Sequence, residues 1–270
     1  MGEGHVASRY ECKYLVSHRV AAEIRRFMEP FMVPDAFAAG RPGNRYRICS
    51  LYLDTLDLHL YHQTAYGEKD RFKLRVRSYS DDAASPVFLE VKRRVNEVIL
   101  KRRVGLPRDV ALELLSTGRS DRLGGCSNEQ LADLEYFKAH LAVAAARPFL
   151  RVRYVREAYE AVGGDPLRIT FDTDIDWLPT CAMDVNLDAA GWIATGVPGE
   201  VLEIKFTDRF PAWVGTMIRG FDLNRESVAK YVLSVDSLFA DSRESAGADP
   251  RAPGPRTGWD GRPVWAREVL

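Results

Sequence analysis

The strongest constraint in this chain is an alternation that returns on strand after strand. From Phe72 to Arg77 the residues read Phe-Lys-Leu-Arg-Val-Arg, and the two-residue period of an extended strand sends Lys73, Arg75 and Arg77 to one face and Phe72, Leu74 and Val76 to the other. The same parity gives mixed ionic faces at Arg9/Glu11/Lys13, Glu90/Lys92, Ile99/Lys101/Arg103, Arg168/Thr170/Asp172 and Glu203/Lys205, backed by apolar sets such as Leu202/Ile204/Phe206 and Ile169/Phe171. Strands of this kind need a hydrophobic core on one side and a partner for crowded charge on the other.

Two arrangements meet that need. An open antiparallel sheet would turn its ionic face to water. A closed barrel with helices packed outside would turn the ionic faces inward, where charges are costly unless paired or neutralised by a ligand. An interior of Lys and Arg with a few Glu then implies a bound polyanion, and a divalent cation with it. Guanidinium forks match phosphate oxygens bidentately and lysine adds a point charge, so alternating Lys and Arg suits a run of phosphates better than a single carboxylate. Glu203, Glu90 and Glu11 would either ligate Mg²⁺ or Mn²⁺ through hard oxygen contacts or pair with a neighbouring Lys or Arg.

Bulk composition sharpens this. The 270 residues carry zero net charge, which argues against a general nucleic-acid coat. Yet from Lys69 to Arg103 there are eleven Lys and Arg against five Asp and Glu, so the positive charge is local, as a site requires. Cys12, Cys49, Cys126 and Cys181 are too scattered for a zinc site or a disulfide framework, which points to a reducing cytoplasm. No apolar run approaches the ~20 residues that cross a bilayer, so the chain is expected to carry no membrane segment.

Along the chain, residues 9–16 read as a strand and Ser17 as the N-cap of a helix reaching about Met28. Strands follow at about 46–53, 70–79, 86–93 and 97–104, the last three as a meander with polar turns, with an amphipathic segment from Leu56 to Tyr61 between the first two. Pro107 starts a short helix, and Ser127-Asn-Glu-Gln130 resembles a capping box for a helix to about Ala144. Strands resume at about 149–159, 167–173 and 200–207, and helices near 211–220 and 225–239 end the pattern. Residues 1–8 and 241–270 are expected to be flexible, around a single domain over 9–240. There is no G-x-x-x-x-G-K-[ST] loop, no G-x-G-x-x-G turn and no G-x-S-x-G elbow, so P-loop, Rossmann and serine-hydrolase chemistry are unsupported.

Arg9-Tyr-Glu-Cys-Lys-Tyr-Leu-Val16, Ser50-Leu-Tyr-Leu-Asp-Thr55, Lys73-Leu-Arg-Val-Arg77, Phe88-Leu-Glu-Val-Lys92, Tyr154-Val-Arg156, Arg168-Ile-Thr-Phe-Asp172, Val201-Leu-Glu-Ile-Lys205 and Ser227-Val-Ala-Lys230 stand in an order that resembles the VTC domain, the polyphosphate polymerases of the triphosphate tunnel metalloenzyme superfamily. The related adenylyl cyclase and thiamine-triphosphatase branch opens with E-x-E-x-K, whereas Arg9 stands first here and fits the VTC branch better. The resemblance implies an α+β fold, an eight-stranded antiparallel β-barrel forming a tunnel with helices outside. It implies transfer of the γ-phosphate of ATP to inorganic polyphosphate or pyrophosphate with Mn or Mg as cofactor, without nucleic acid and with any membrane partner protein left open. A metal-dependent tripolyphosphatase and a non-catalytic polyphosphate-binding module are the alternatives. By motif, Lys13, Arg75, Arg77, Lys92, Lys101, Arg156, Arg168 and Lys230 resemble the family's phosphate-binding residues, and Glu203 its metal-binding carboxylate. Lys73, Arg103, Arg153 and Lys205 would be further tunnel cations or salt-bridge partners.

Overall fold

The computed structural model of the chain describes residues 9–96, 98–119, 121–164 and 166–245. Ten strands and six α-helices are described: β1 (Arg9–Val16), α1 (His18–Met28), β2 (Met32–Pro34), β3 (Arg45–Asp54), α2 (His59–Ala65), β4 (Asp70–Ser78), β5 (Val87–Val95), β6 (Val98–Leu106), α3 (Arg108–Thr117), α4 (Asn128–Ala144), β7 (Arg147–Ala161), β8 (Arg168–Pro179), β9 (Ile193–Ala194), β10 (Glu200–Thr207), α5 (Ala212–Gly220) and α6 (Lys230–Ser245). Strand neighbours follow the path β1-β10-β8-β7-β3-β4-β5-β6, with β2 on β7 and β9 on β8. The fold is thus an antiparallel, sheet-rich α+β fold. Among the described residues the pairing path ends at β1 and β6, so the expected closed barrel is met only as far as this sheet.

The chain divides into two compact units, each assembled from separate stretches of sequence. The first holds 1–46, 155–174 and 197–228. Its core packs Tyr14 and Val16 of β1, Leu202 and Ile204 of β10 and Ile169 and Phe171 of β8 against Ala21, Ile24 and Met28 of α1 and Val214 and Met217 of α5. Ser17 caps α1, its hydroxyl accepting from the Val20 amide at 3.3 Å. Burying an aliphatic or aromatic side chain is worth about 1.5–3 kcal/mol, and this apolar parity fixes which side of each strand carries the charges.

The second unit holds 47–154, 175–196 and 229–270. The strands β3-β4-β5-β6 are consecutive neighbours here, and Leu51, Leu53, Leu74, Val76, Leu89, Val91, Val104 and Leu106 form a core with Leu134 and Phe137 of α4. The capping box at Ser127 forms in both directions: the hydroxyl accepts from the Gln130 amide at 3.2 Å and the Gln130 side chain accepts from the Ser127 amide at 2.8 Å.

The largest shifts from the sequence reading are at β8, which runs on to Pro179 rather than ending near 173, and at both ends of the last helix. The last helix begins at Lys230 rather than near 225, because the Glu226 amide donates to the Lys13 carbonyl at 2.9 Å and holds that stretch outside the helix. It also runs on to Ser245. The expected flexible segments at 1–8 and from 246 onward lie outside the described residues.

Candidate functional site

In the second unit the register sorts the charges into rows. Lys73 of β4 faces Lys92 of β5, which faces Lys101 of β6. The next row is Arg75–Glu90–Arg103, and the one after it Arg77–Phe88–Gly105. A one-residue slip would have sent this lattice into the core, so the apolar parity that packs on α4 also sets the site.

Glu90 is the hub of the middle row, with 1 % of its surface exposed. One of its oxygens, Oε2, accepts from Arg75 Nε at 2.6 Å and lies 2.5 Å from Nη2 of the same guanidinium. Its Oε1 lies 3.3 Å from both Lys101 Nζ and Arg103 Nε, close enough for ion pairing but without hydrogen-bond alignment. Burial would raise the Glu90 carboxyl, yet Arg75, Arg77 and Lys101 hold it far below the usual carboxylate range. Arg103 rests its guanidinium 3.6 Å above the Phe88 ring, and a Cβ at Gly105 would come within 2.9 Å of that ring.

Arg77 has a different environment. Only 7 % of it is exposed, and it bonds to hydroxyls: Nε donates to Ser50 Oγ and Nη2 to Tyr154 Oη, each at 3.2 Å. Among the described residues no carboxylate lies within ion-pair distance of it. Lys230, at the start of α6, places its ammonium 4.9 Å from the centre of the Tyr154 ring. Tyr52 faces Arg75 in the β3–β4 register, with its oxygen 3.5 Å from Arg75 Nη1.

The first unit carries its own lattice. Glu11 of β1 faces Lys205 of β10, which faces Arg168 of β8; the next row is Lys13–Glu203–Thr170. Glu203, 5 % exposed, lies 2.8 Å from Lys205 Nζ, 3.6 Å from Lys13 Nζ and 3.7 Å from Arg156 Nη2. Lys13 also lies 3.1 Å from Glu11 and donates to the Val228 carbonyl at 3.0 Å. Arg156 forks onto buried Asp172 at 2.6 and 2.7 Å. Arg168 pairs with Asp35 at 2.5 Å.

Fourteen of the fifteen candidate residues therefore lie on these two lattices or beside them, eight in the second unit and six in the first. Arg153 does not join: its guanidinium is engaged by Asp176 at 2.9 Å, the Leu187 carbonyl at 3.0 Å and the Trp192 ring. No group of three or more His, Cys, Asp or Glu placed to hold a metal occurs among the described residues. Ser50, Tyr52 and Tyr154 are the residues in contact with Arg75 and Arg77 that the charge pattern missed. The signal for the first two was present, since Ser50, Tyr52 and Asp54 share the parity opposite to the core residues Cys49, Leu51 and Leu53.

A model of the VTC domain matches residues 8–239. The chain belongs to the VTC domain family. No curated protein matches it. Among solved structures, this VTC-domain chain is similar to a Bacillus halodurans protein provisionally assigned as an adenylate cyclase, at 14 % identity and a TM-score of 0.46 over 81 % of this chain and 92 % of that one. A Pyrococcus horikoshii protein is similar at 14 % identity and a TM-score of 0.43, over 87 % of this chain and 100 % of that one. No helix among the described residues is long and apolar enough to cross a membrane.

Proposed function

We propose that this VTC-domain chain is a metal-dependent polyphosphate polymerase that transfers the γ-phosphate of ATP to a growing inorganic polyphosphate chain, its sheet closed into the eight-stranded tunnel that the family resemblance implies. Arg77 carries the reading. A guanidinium so deeply buried loses several kcal/mol of hydration, and the Ser50 and Tyr154 hydroxyls return only the worth of neutral partners. An anion supplies what is missing, and a phosphate oxygen fits the fork. Two rows along the sheet, Lys73, Lys92 and Lys101 add three point charges, as a chain of phosphates requires.

The reaction needs positioning and charge neutralisation more than covalent help. An oxygen of the acceptor's terminal phosphate attacks the γ-phosphorus in line, the bond to the β,γ-bridging oxygen breaks, and ADP leaves. Arg77, Lys92, Lys101 and Lys230 would neutralise charge on the transferred group. The carboxylate-bearing lattice suits a Mg²⁺ or Mn²⁺ ion that takes one or two carboxylates and completes its shell with phosphate oxygens. Glu203 would hold it, with Glu11 beside it, and the buried Thr170 hydroxyl opposite Glu203 lacks a hydrogen-bond partner. Such an ion would supply Lewis-acid stabilisation of the charge that develops on the phosphates.

Incubation of the purified protein with ATP, Mn²⁺ and pyrophosphate tests this. A polyphosphate ladder on a gel is expected. Orthophosphate release without a ladder would replace the polymerase with a tripolyphosphatase, and neither product would leave a binding module.

A further inference from the structure

We propose that Tyr52 is a positioning residue of the phosphate cradle, fixing the plane from which the Arg75 guanidinium meets a bound phosphate chain; this rests on the reading that the cradle takes phosphate. Arg75 directs Nε and Nη2 to a single oxygen of Glu90. That pair leaves the guanidinium free to pivot about Oε2 unless its third nitrogen is restrained. Nη1 is 3.5 Å from the Tyr52 oxygen, on the residue directly opposite Arg75 across the β3–β4 pair.

Tyr52 is itself held. Its ring stacks on Tyr231 of α6 at 4.5 Å between centroids and 14° between planes. The Tyr231 hydroxyl donates to Asp54 Oδ2 at 2.6 Å, and Asp54 is fully buried at the end of the strand that carries Tyr52. Strand, stacked ring and carboxylate thus close a loop that leaves the Tyr52 oxygen little freedom to move.

The surroundings give this contact a signature. Burial alone would raise the Tyr52 phenol, but Arg75 and Arg77 of β4 and Lys230 of α6 bring it below its ordinary value. An anion bound at Arg75 cancels part of that positive field, so ligand and phenolate oppose each other. Binding should therefore raise the Tyr52 pKa, the phenolate taking its proton from water.

The test uses the whole chain and tripolyphosphate. By calorimetry at neutral pH, Tyr52→Phe is expected to keep the ring stack and the melting temperature but to bind tripolyphosphate about tenfold more weakly, roughly one hydrogen bond to a charged group. Near-ultraviolet phenolate absorbance gives the second readout. It is taken in a Tyr79→Phe background, because burial raises Tyr79 as well while Arg77 and Arg103 pull it down. One low-titrating tyrosine should move to higher pH with tripolyphosphate and vanish when Tyr52→Phe is added. Undiminished affinity in Tyr52→Phe, or a low-titrating tyrosine indifferent to tripolyphosphate, overturns the positioning role alone. A wild-type chain that binds no tripolyphosphate overturns the phosphate reading with it.

Discussion

Arg75 and Glu90 face each other across β4 and β5, and two guanidinium nitrogens converge on one carboxylate oxygen at 2.6 and 2.5 Å while Lys101 and Arg103 crowd the other at 3.3 Å. One buried negative charge thus organises three cations. Of Arg75 and Arg77 on β4, Arg75 already has an internal anion, and among the described residues Arg77 has no carboxylate within ion-pair distance. A ligand anion at Arg77 would complete a pairing, whereas at Arg75 it would share one.

Glu90→Gln should accordingly destabilise the chain by about 3 kcal/mol in urea unfolding, since removing one partner of a buried pair leaves the others uncompensated. Its pH signature is specific. The folded-state carboxyl lies below its unfolded value of 4.5, so its stabilisation is fully present above that pH and is lost as pH falls beneath it. Wild-type stability should drop between about pH 5 and 3 by more than that of Glu90→Gln. Equal losses would mean that Glu90 is not the depressed group. Tripolyphosphate should also raise the variant's melting temperature more than the wild type's, by replacing the missing anion.

For Arg77→Met the effects on stability and binding should separate. The variant removes a buried cation that has no carboxylate partner, at the cost of two unpaired hydroxyls at Ser50 and Tyr154. Unfolding free energy should change by less than about 1 kcal/mol while tripolyphosphate affinity falls about a hundredfold. A large stability loss with affinity intact would make Arg77 a structural cation.

Much of this was legible in the sequence because it is local. Period-two alternation marked β1, β4, β5 and β10, and the Ser127 box marked the start of α4. What was not legible depends on register. That Arg75 meets Glu90, or that Lys73, Lys92 and Lys101 form one row, is decided by how β4, β5 and β6 align, and alternation says nothing of alignment between strands. The contact of Tyr154 with Arg77 was hidden for the same reason, since a lone Tyr on a strand carries no charge signal, and the parity that places Ser50 on the charged face does not say which cation it meets. The two-residue β9 and three-residue β2 exist only through their partners β8 and β7, and no propensity in so short a run could announce them.

Gly199 should tolerate no side chain. It adopts φ +123°, and a Cβ there would lie 2.2 Å from the Val16 carbonyl oxygen, where backbone rather than a flexible tip must yield. This close approach leads β10 into its pairing with β1, which aligns Glu203 with Lys13. Gly199→Ala is expected to cost at least about 2 kcal/mol. Unchanged thermal unfolding would contradict the approach.

Asp54→Asn tests the anchor behind Tyr52 and Tyr231. One Asp54 oxygen accepts from the Thr55 amide at 2.7 Å and the Leu60 amide at 2.9 Å, and the other from the Tyr61 amide at 2.9 Å and the Tyr231 hydroxyl at 2.6 Å. With the Thr55 hydroxyl at 3.4 Å, five donors therefore converge on a carboxylate with no exposed surface. Two of them are amides in the first turn of α2, whose N-cap residue Leu58 offers no side-chain acceptor and whose His59 amide donates to Thr55 Oγ1 at 2.8 Å. An amide can accept at one position only and must turn its NH₂ toward donors at the other, so the isosteric variant loses about 2–3 kcal/mol. If Asp54 acts through the Tyr231–Tyr52 stack, tripolyphosphate affinity falls together with stability, and a stabilising osmolyte that restores folding does not restore affinity. Full recovery of both would confine Asp54 to the folding of α2.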